Sequence, residues 1–378
     1  MQIFASLTAD SLSIKSRNAH GGPFLLLGRY DTSHCIIHSV DGLPRKNVND
    51  TLSVCPYHRE IFEMASIKNV IVAGASGNAG TAIISALVES GFTVSVLTRS
   101  SSKATFPSAV TVIRTDYTIP SLVEAFKGQH AVVSTIATGS NDQQKKMIEA
   151  AITAGVKRFI PSEYGVDTSL PQIADVLPQA LPKQRFIEYL KTKESIGISW
   201  TAVIVGGFFD WAFAIPGLMG WNVPEREAVI FDGGDIEYEA TNVDQLGRAV
   251  AASLTDDHFE ATKNNYVYVN SFTVTQNKIL AILEELTGDK FAITHSTRAD
   301  ISKSGWETYN AAIAAGKIAE GGYFPGVLEI ITGQILDKDA LNGYSKRKEL
   351  WNDELGLPKD DLKKTLAKIV EKVKAIQN

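Results

Sequence analysis

Apolar and polar positions alternate in blocks along this chain, and from residue 66 onward the blocks follow a repeating order. A short apolar run is followed by glycines or polar residues, then by apolar residues at helical spacing. The run Val70, Ile71, Val72, Ala73 has no in-out alternation, as expected of a strand covered on both faces. Thr81–Ser90 then carries Ile83, Ile84, Leu87 and Val88 on one helical stripe. The pattern repeats with strands predicted over 92–99, 110–116, 131–137, 156–162 and 198–205. Helices are predicted from Ser121, with Glu124 at capping-box spacing, and over Asp142–Ala154, which Gly155 ends. Strands alternating with helices through short joints predict a Rossmann-type, doubly wound parallel α/β sheet. Such sheets bind ligands at the carboxyl ends of their strands.

Two regions depart from this rhythm. Residues 1–63 are polar, mix Gly, Ser, Asn and His, and show no sustained period, so a disordered N-terminal extension is expected. The start MQIFASLTADSL lacks the basic and apolar stretches of a signal peptide, Asp10 argues against a transit peptide, and Met64 precedes the first strand. Cys35-x-x-His38 and Cys55-x-x-His58 have the spacing of zinc ligands, but nothing around them resembles a packed finger, so no metal is expected. Residues 64–210 are read as the dinucleotide domain and 211–378 as a smaller α+β substrate or lid region carrying Trp211, Trp221, Trp306, Tyr309, Tyr323 and Phe324. Residues 242–270 are expected to return to the first domain. The last helix, Lys359–Ala375, reads as a surface-packed amphipathic helix.

The chemistry is concentrated at 69–80, NVIVAGASGNAG. In this strand–turn–helix setting, Gly74 permits the tight turn and Gly77 lets backbone N–H groups approach a pyrophosphate. Gly80 lets the helix pack against the strand, with Ser76 and Asn78 between them. About twenty residues later, an NAD site would place an acidic side chain for the ribose 2′-hydroxyl. This chain instead has Arg99, three serines and Lys103, with no Asp or Glu between Gly91 and Asp116. A guanidinium pairs with a 2′-phosphate that a carboxylate would repel, so NADPH is the expected cofactor. Thr135, at the end of strand four, lies beside the expected nicotinamide path.

The segments GASGNAG, LTRSSSK, AAITAGVKRFIPSEYG, SWTAVIVGGFFD and NVDQLGRAV together resemble the NmrA-like family. Within it they are most similar to the isoflavone-reductase branch of atypical short-chain dehydrogenases. The resemblance spans roughly 66 to 375. It implies an NADPH-dependent reductase acting on a C=C, C=O or C=N bond of a small, often aromatic, secondary metabolite. The alternative, from the same family, is a non-catalytic NAD(P) sensor of the NmrA repressor type. In the isoflavone-reductase group a single lysine at a helix start is catalytic, and Lys183, Phe186 and Leu190 match that pattern, with Gln179 where a tyrosine would otherwise stand.

Tyr189 and Lys193 have the Tyr-x-x-x-Lys spacing of ordinary short-chain dehydrogenases. They fall at the far end of the helix leading to strand six, so Tyr189 is read as part of its buried stripe. Ser162 occupies an assisting-serine position, Glu163 is read as structural, and Tyr164 is a candidate substrate contact. Phe208 and Phe209, with Trp211, are expected to wall the substrate pocket. At 378 residues, with 44% hydrophobic and 21% charged residues and a net charge of −5, the chain offers no basic footprint for nucleic acid. The most apolar run, Phe208–Trp221, is broken by Asp210 and Pro216, so no membrane span is expected. Both cysteines precede residue 60, which fits a cytoplasmic protein.

Overall fold

The computed structural model describes residues 66–137, 140–177, 180–316, 325–337 and 342–377. Before residue 66 it describes only the backbones of four strands, Phe4–Thr8, Ser11–Arg17, Pro23–Asp31 and His34–His38, paired antiparallel in that order. The expectation of a disordered extension and the Cys/His side chains lie outside the described residues, as do Gln179, Tyr323 and Phe324.

Seven parallel strands form the central sheet: β1 (Asn69–Ala73), β2 (Thr93–Arg99), β3 (Thr111–Thr115), β4 (Ala131–Ser134), β5 (Arg158–Ile160), β6 (Ser199–Ile204) and β7 (Asn265–Tyr268). Their spatial order is 3-2-1-4-5-6-7, a doubly wound Rossmann-type sheet whose order reverses between β1 and β4. The missing alternation in β1 now has a geometric cause. Val70 and Val72 pack on one face with α1 (Asn78–Glu89), while Ile71 and Ala73 pack on the other with α2 (Ile119–Phe126), α3 (Asn141–Thr153) and α4 (Ala180–Lys191). Both faces are dry, so every position of the strand is apolar. The first face is completed by α5 (Val243–Ala252), through Leu246, Ala249 and Val250. β7 pairs with β6, so the segment after residue 242 contributes both a helix and an edge strand to this sheet.

Several local expectations shift. The N-cap of α2 is Thr118, whose hydroxyl accepts from the Ser121 N–H, and Glu124 instead pairs with Lys127. Ser121 lies within the helix because Pro120 pre-sets its first turn. β5 keeps only three of its seven predicted residues, because the chain turns at Glu163, whose N–H bonds the Pro161 carbonyl. Asn242 sits at the N-cap of α5 but makes no capping bond there. The Asp210 carboxylate supplies that acceptor to the Val243 N–H at 3.0 Å, tying the turn after β6 to α5.

The rest of the chain builds a second layer from two three-stranded sheets and the helices α6 (Gln276–Thr287), α7 (Arg298–Ala314), α8 (Val327–Ile335) and α9 (Leu362–Gln377). Its core gathers Phe209, Phe213, Trp221, Phe272 and Ile330 with the stripe Leu366, Ile369, Val370 and Val373 of α9. Among the described residues, no helix is long and apolar enough to cross a membrane.

Arg158 is buried in the sheet with no carboxylate partner among the described residues. Its fork donates to the Ser199, Thr201 and Thr262 hydroxyls and to the Phe259 carbonyl, at 2.6–3.1 Å, and its charge lies 4.1 Å from the Phe259 ring centre. Burial pulls its pKa down to about 10, with Glu260 opposing. These dipoles replace water around the cation, as a buried charge requires. Arg158→Ala, which orphans several of them at once, is expected to cost on the order of 3 kcal/mol or more in urea unfolding.

Candidate functional site

At the sheet's reversal point β1 runs into the glycine turn. Gly74 has φ +81°, and a Cβ there would stand 2.7 Å from the Thr135 carbonyl carbon. A side chain would therefore push β1 and β4 apart where their carboxyl ends meet. A Cβ on Gly80 would lie 2.7 Å from the Ala75 Cα, so its absence sets the close approach of α1 to the turn. Gly77 occupies the N-cap of α1 with no capping side chain and no acidic residue in the first turn. The first N–H groups of a helix have no intrahelical acceptor. Those of α1 border an open cleft of about 910 Å³, which Gly74, Ser76, Gly77 and Asn78 line. Uncapped N–H groups and the helix dipole make this end of α1 suited to an anion.

Arg99, at the end of β2, lines the same cleft and has no ion pair among the described residues. Ser100, Ser101 and Ser102 stand beside it, with Phe106 and Tyr117 nearby. Lys103 is exposed and does not line the cleft. Asp116 does, at the end of β3; hydrogen bonds from Ser121 and Thr118 hold its carboxyl down to about 2. Its position at a strand's carboxyl end was the signal available in the sequence. Thr135 lines the cleft while its hydroxyl donates to the Ala73 carbonyl at 2.8 Å. Ser162 donates to the Ile136 carbonyl at 2.9 Å, so its hydroxyl braces the β4–β5 ends.

Beyond Ser162 the cleft meets an apolar chamber of about 130 Å³, and Tyr164, Lys183, Phe208 and Trp211 line both. They form the neck between the two spaces. Lys183 reaches it from the first turn of α4, where Phe186, Ile187 and Leu190 anchor the helix in the core. Its Nζ donates to the Glu163 main-chain carbonyl at 2.5 Å. Burial pushes the Lys183 pKa down, and the Glu163 carboxylate pulls it partly back. Glu163 is wholly buried, which raises its own pKa against Lys183 and the Thr168 hydroxyl. The Tyr164 hydroxyl is buried without a partner, and burial drives its pKa far up.

Phe208 meets Trp211 edge to face at 6.3 Å, and Phe209 lines the chamber behind them. Trp221, Tyr238, Ile331 and Ile335 add walls from the second layer that sequence spacing could not place. Tyr189 and Lys193 line neither space. The Lys193 amine lies 5.0 Å from the Tyr189 ring centre on the far part of the helix. Among the described residues no cluster of His, Cys, Asp and Glu forms a metal site.

Known proteins resemble this chain in sequence and in fold. A protein named oxidoreductase aprR, from Aspergillus flavus, is 42% identical over 230 residues, covering 60% of this chain and 76% of its own. The isoflavone reductase homolog IRL of Zea mays is 28% identical over 243 residues, or 60% of this chain and 77% of its own. The solved structure described as AtPrR2 with NADP+ and (+)pinoresinol superposes with a TM-score of 0.62 at 21% identity, covering 80% of this chain and 99% of that one. Residues 66–316 match the sequence model of the NmrA-like family. With its Rossmann-type sheet, glycine turn and isoflavone-reductase relatives, the chain belongs to the NmrA-like family, in its isoflavone-reductase-like branch.

Proposed function

We propose that this chain is an NADPH-dependent oxidoreductase that reduces a C=C, C=O or C=N bond in a small, uncharged secondary metabolite. The observation that carries the reading is the neck, where one amine stands between a dinucleotide-sized cleft and an apolar chamber. A nucleotide sensor needs the cleft but not the chamber.

The cleft fits the cofactor on its own terms. The free N–H groups of α1 and the backbone of Gly77 suit the pyrophosphate. Arg99, unpaired with any carboxylate among the described residues, suits a 2′-phosphate through charge-assisted bonds. The AtPrR2 structure, which shares the fold, carries NADP+. When bound, NADPH supplies a hydride from C4 of its nicotinamide.

The protein's own groups do the rest. Lys183 Nζ, held on the Glu163 carbonyl, is placed to bind ribose hydroxyls and to give a proton to the substrate atom that gains charge. Phe208, Phe209 and Trp211 hold the substrate's apolar body and keep water from the neck. Tyr164 contributes its ring to that wall. Its hydroxyl is buried and hard to ionise, which makes Lys183 the better proton donor. Lys183 is the one charged side chain among the described residues that line the chamber, so an ionised substrate would lose its hydration there with little return. The chamber has room for about four waters, or for about one aromatic ring.

Two measurements test this. In fluorescence titrations NADPH should bind at least tenfold more tightly than NADH, and Arg99→Ala should erase about that factor, or about 1.4 kcal/mol, for NADPH alone. Equal affinities overturn the cofactor assignment. Lys183→Ala should abolish NADPH oxidation with a panel of neutral aromatic enones and ketones, while NADPH affinity stays within about tenfold. Undiminished turnover removes Lys183 from the chemistry, and tight NADPH binding by the unaltered protein with no turnover of any substrate favours the sensor.

A further inference from the structure

The buried carboxyl of Glu163 has a place in the site beyond shaping the turn. Both Glu163 and Lys183 line the cleft. The Glu163 side chain is 0% exposed. One oxygen accepts the Thr168 hydroxyl, and the other is buried with no hydrogen-bond partner. A carboxylate in that setting costs several kcal/mol unless a cation compensates it. The cations among the described residues lining the cleft are Arg99, at its ribose end, and Lys183. Lys183 is bonded to the main chain of Glu163 itself, so amine and carboxyl are held on one residue's scale.

We propose that Glu163 is a positioning residue, whose buried carboxylate fixes the charge that Lys183 carries at the neck. This rests on the reading of Lys183 as the working amine. The geometry uses α4 twice. Lys183 binds the loop at the Glu163 carbonyl, and the next residue, Gln184, donates to the Thr168 and Leu170 carbonyls at 3.1 and 2.8 Å. The same helix turn therefore holds the amine and the threonine that orients the carboxylate.

Among the described residues, the other titratable groups that the Glu163 charge acts on are phenols. Tyr164 stands in the same loop and Tyr266 on β7; burial and the Glu163 charge both push them above their ordinary range, so they stay neutral through the working pH. That leaves carboxylate against amine. Burial alone favours the neutral amine, which has no proton to give, and the carboxylate favours the ammonium. The sign follows. Removing the carboxylate's charge without changing its shape must move the amine's midpoint to lower pH.

The test is competitive acetylation of the full chain with acetic anhydride across a pH series, with mass spectrometry of the peptide carrying Lys183. Glu163→Gln is expected to lower the Lys183 midpoint by about one unit or more, a tenfold change in its protonation ratio. Thr168→Val, which keeps the carboxylate but removes its hydroxyl donor, should shift the midpoint the same way by less. Glu163→Asp should restore most of it. An unchanged midpoint in folded Glu163→Gln, judged by near-ultraviolet circular dichroism, overturns the proposal; should that variant fail to fold, an unchanged midpoint in Thr168→Val does so. NADPH titration of the same samples separates the two readings. Lost nucleotide binding by the unaltered protein would sink the reductase reading, whereas the midpoint shift requires neither nucleotide nor turnover.

Discussion

A parallel strand offers no face to water, and that constraint organises this protein. Because β1 must be covered on both sides, α1 and α5 pack on one face and α2, α3 and α4 on the other. The strand order then reverses between β1 and β4. Helices leaving in opposite directions cannot close over that point, so a cleft opens at the strands' carboxyl ends. Gly74 and Gly80 are the local conditions for it. A methyl at the first would collide with the backbone at Thr135, and at the second with the backbone at Ala75.

The second layer turns an open cleft into a two-part site. Its aromatic core brings Trp221 and Tyr238 against the turn after β6, and α8 adds Ile331 and Ile335. The resulting chamber is apolar, and its mouth is the same ring of side chains that ends the cleft. Asp210 links these parts mechanically, because its carboxylate caps α5 from within the segment that carries Phe208, Phe209 and Trp211. A polar side chain in an aromatic run thus serves as a strut between the chamber wall and the sheet.

Buried charge is handled in two different ways. Arg158 is surrounded by hydroxyls and a carbonyl that satisfy its fork, and it holds β5, β6 and the 253–262 turn together. Glu163 and Lys183 are less completely satisfied, with one carboxylate oxygen lacking a partner and an amine pulled away from its ordinary pKa. Full satisfaction marks a structural ion.

The order of apolar runs and helical stripes was enough to specify the Rossmann-type sheet, because two-sided burial leaves its mark on every residue of a strand such as Val70–Ala73. The glycine turn and Arg99 were legible for a similar reason: backbone approach and charge sign are local properties. Other features needed the tertiary structure. Thr118 rather than Ser121 caps α2, since a proline inside the first turn moved the boundary. Lys103, close to Arg99 in sequence, is exposed and does not line the cleft, and a turn closed by the Ser102 N–H on the Arg99 carbonyl separates the two. Tyr189 and Lys193 have dyad spacing and sit apart from the site, because helix position decides reach and spacing does not. The chamber's far wall and the bond from Lys183 to the Glu163 carbonyl come from segments brought together only by folding. Their contacts leave no period or motif, since neither partner's neighbours in sequence depend on the other.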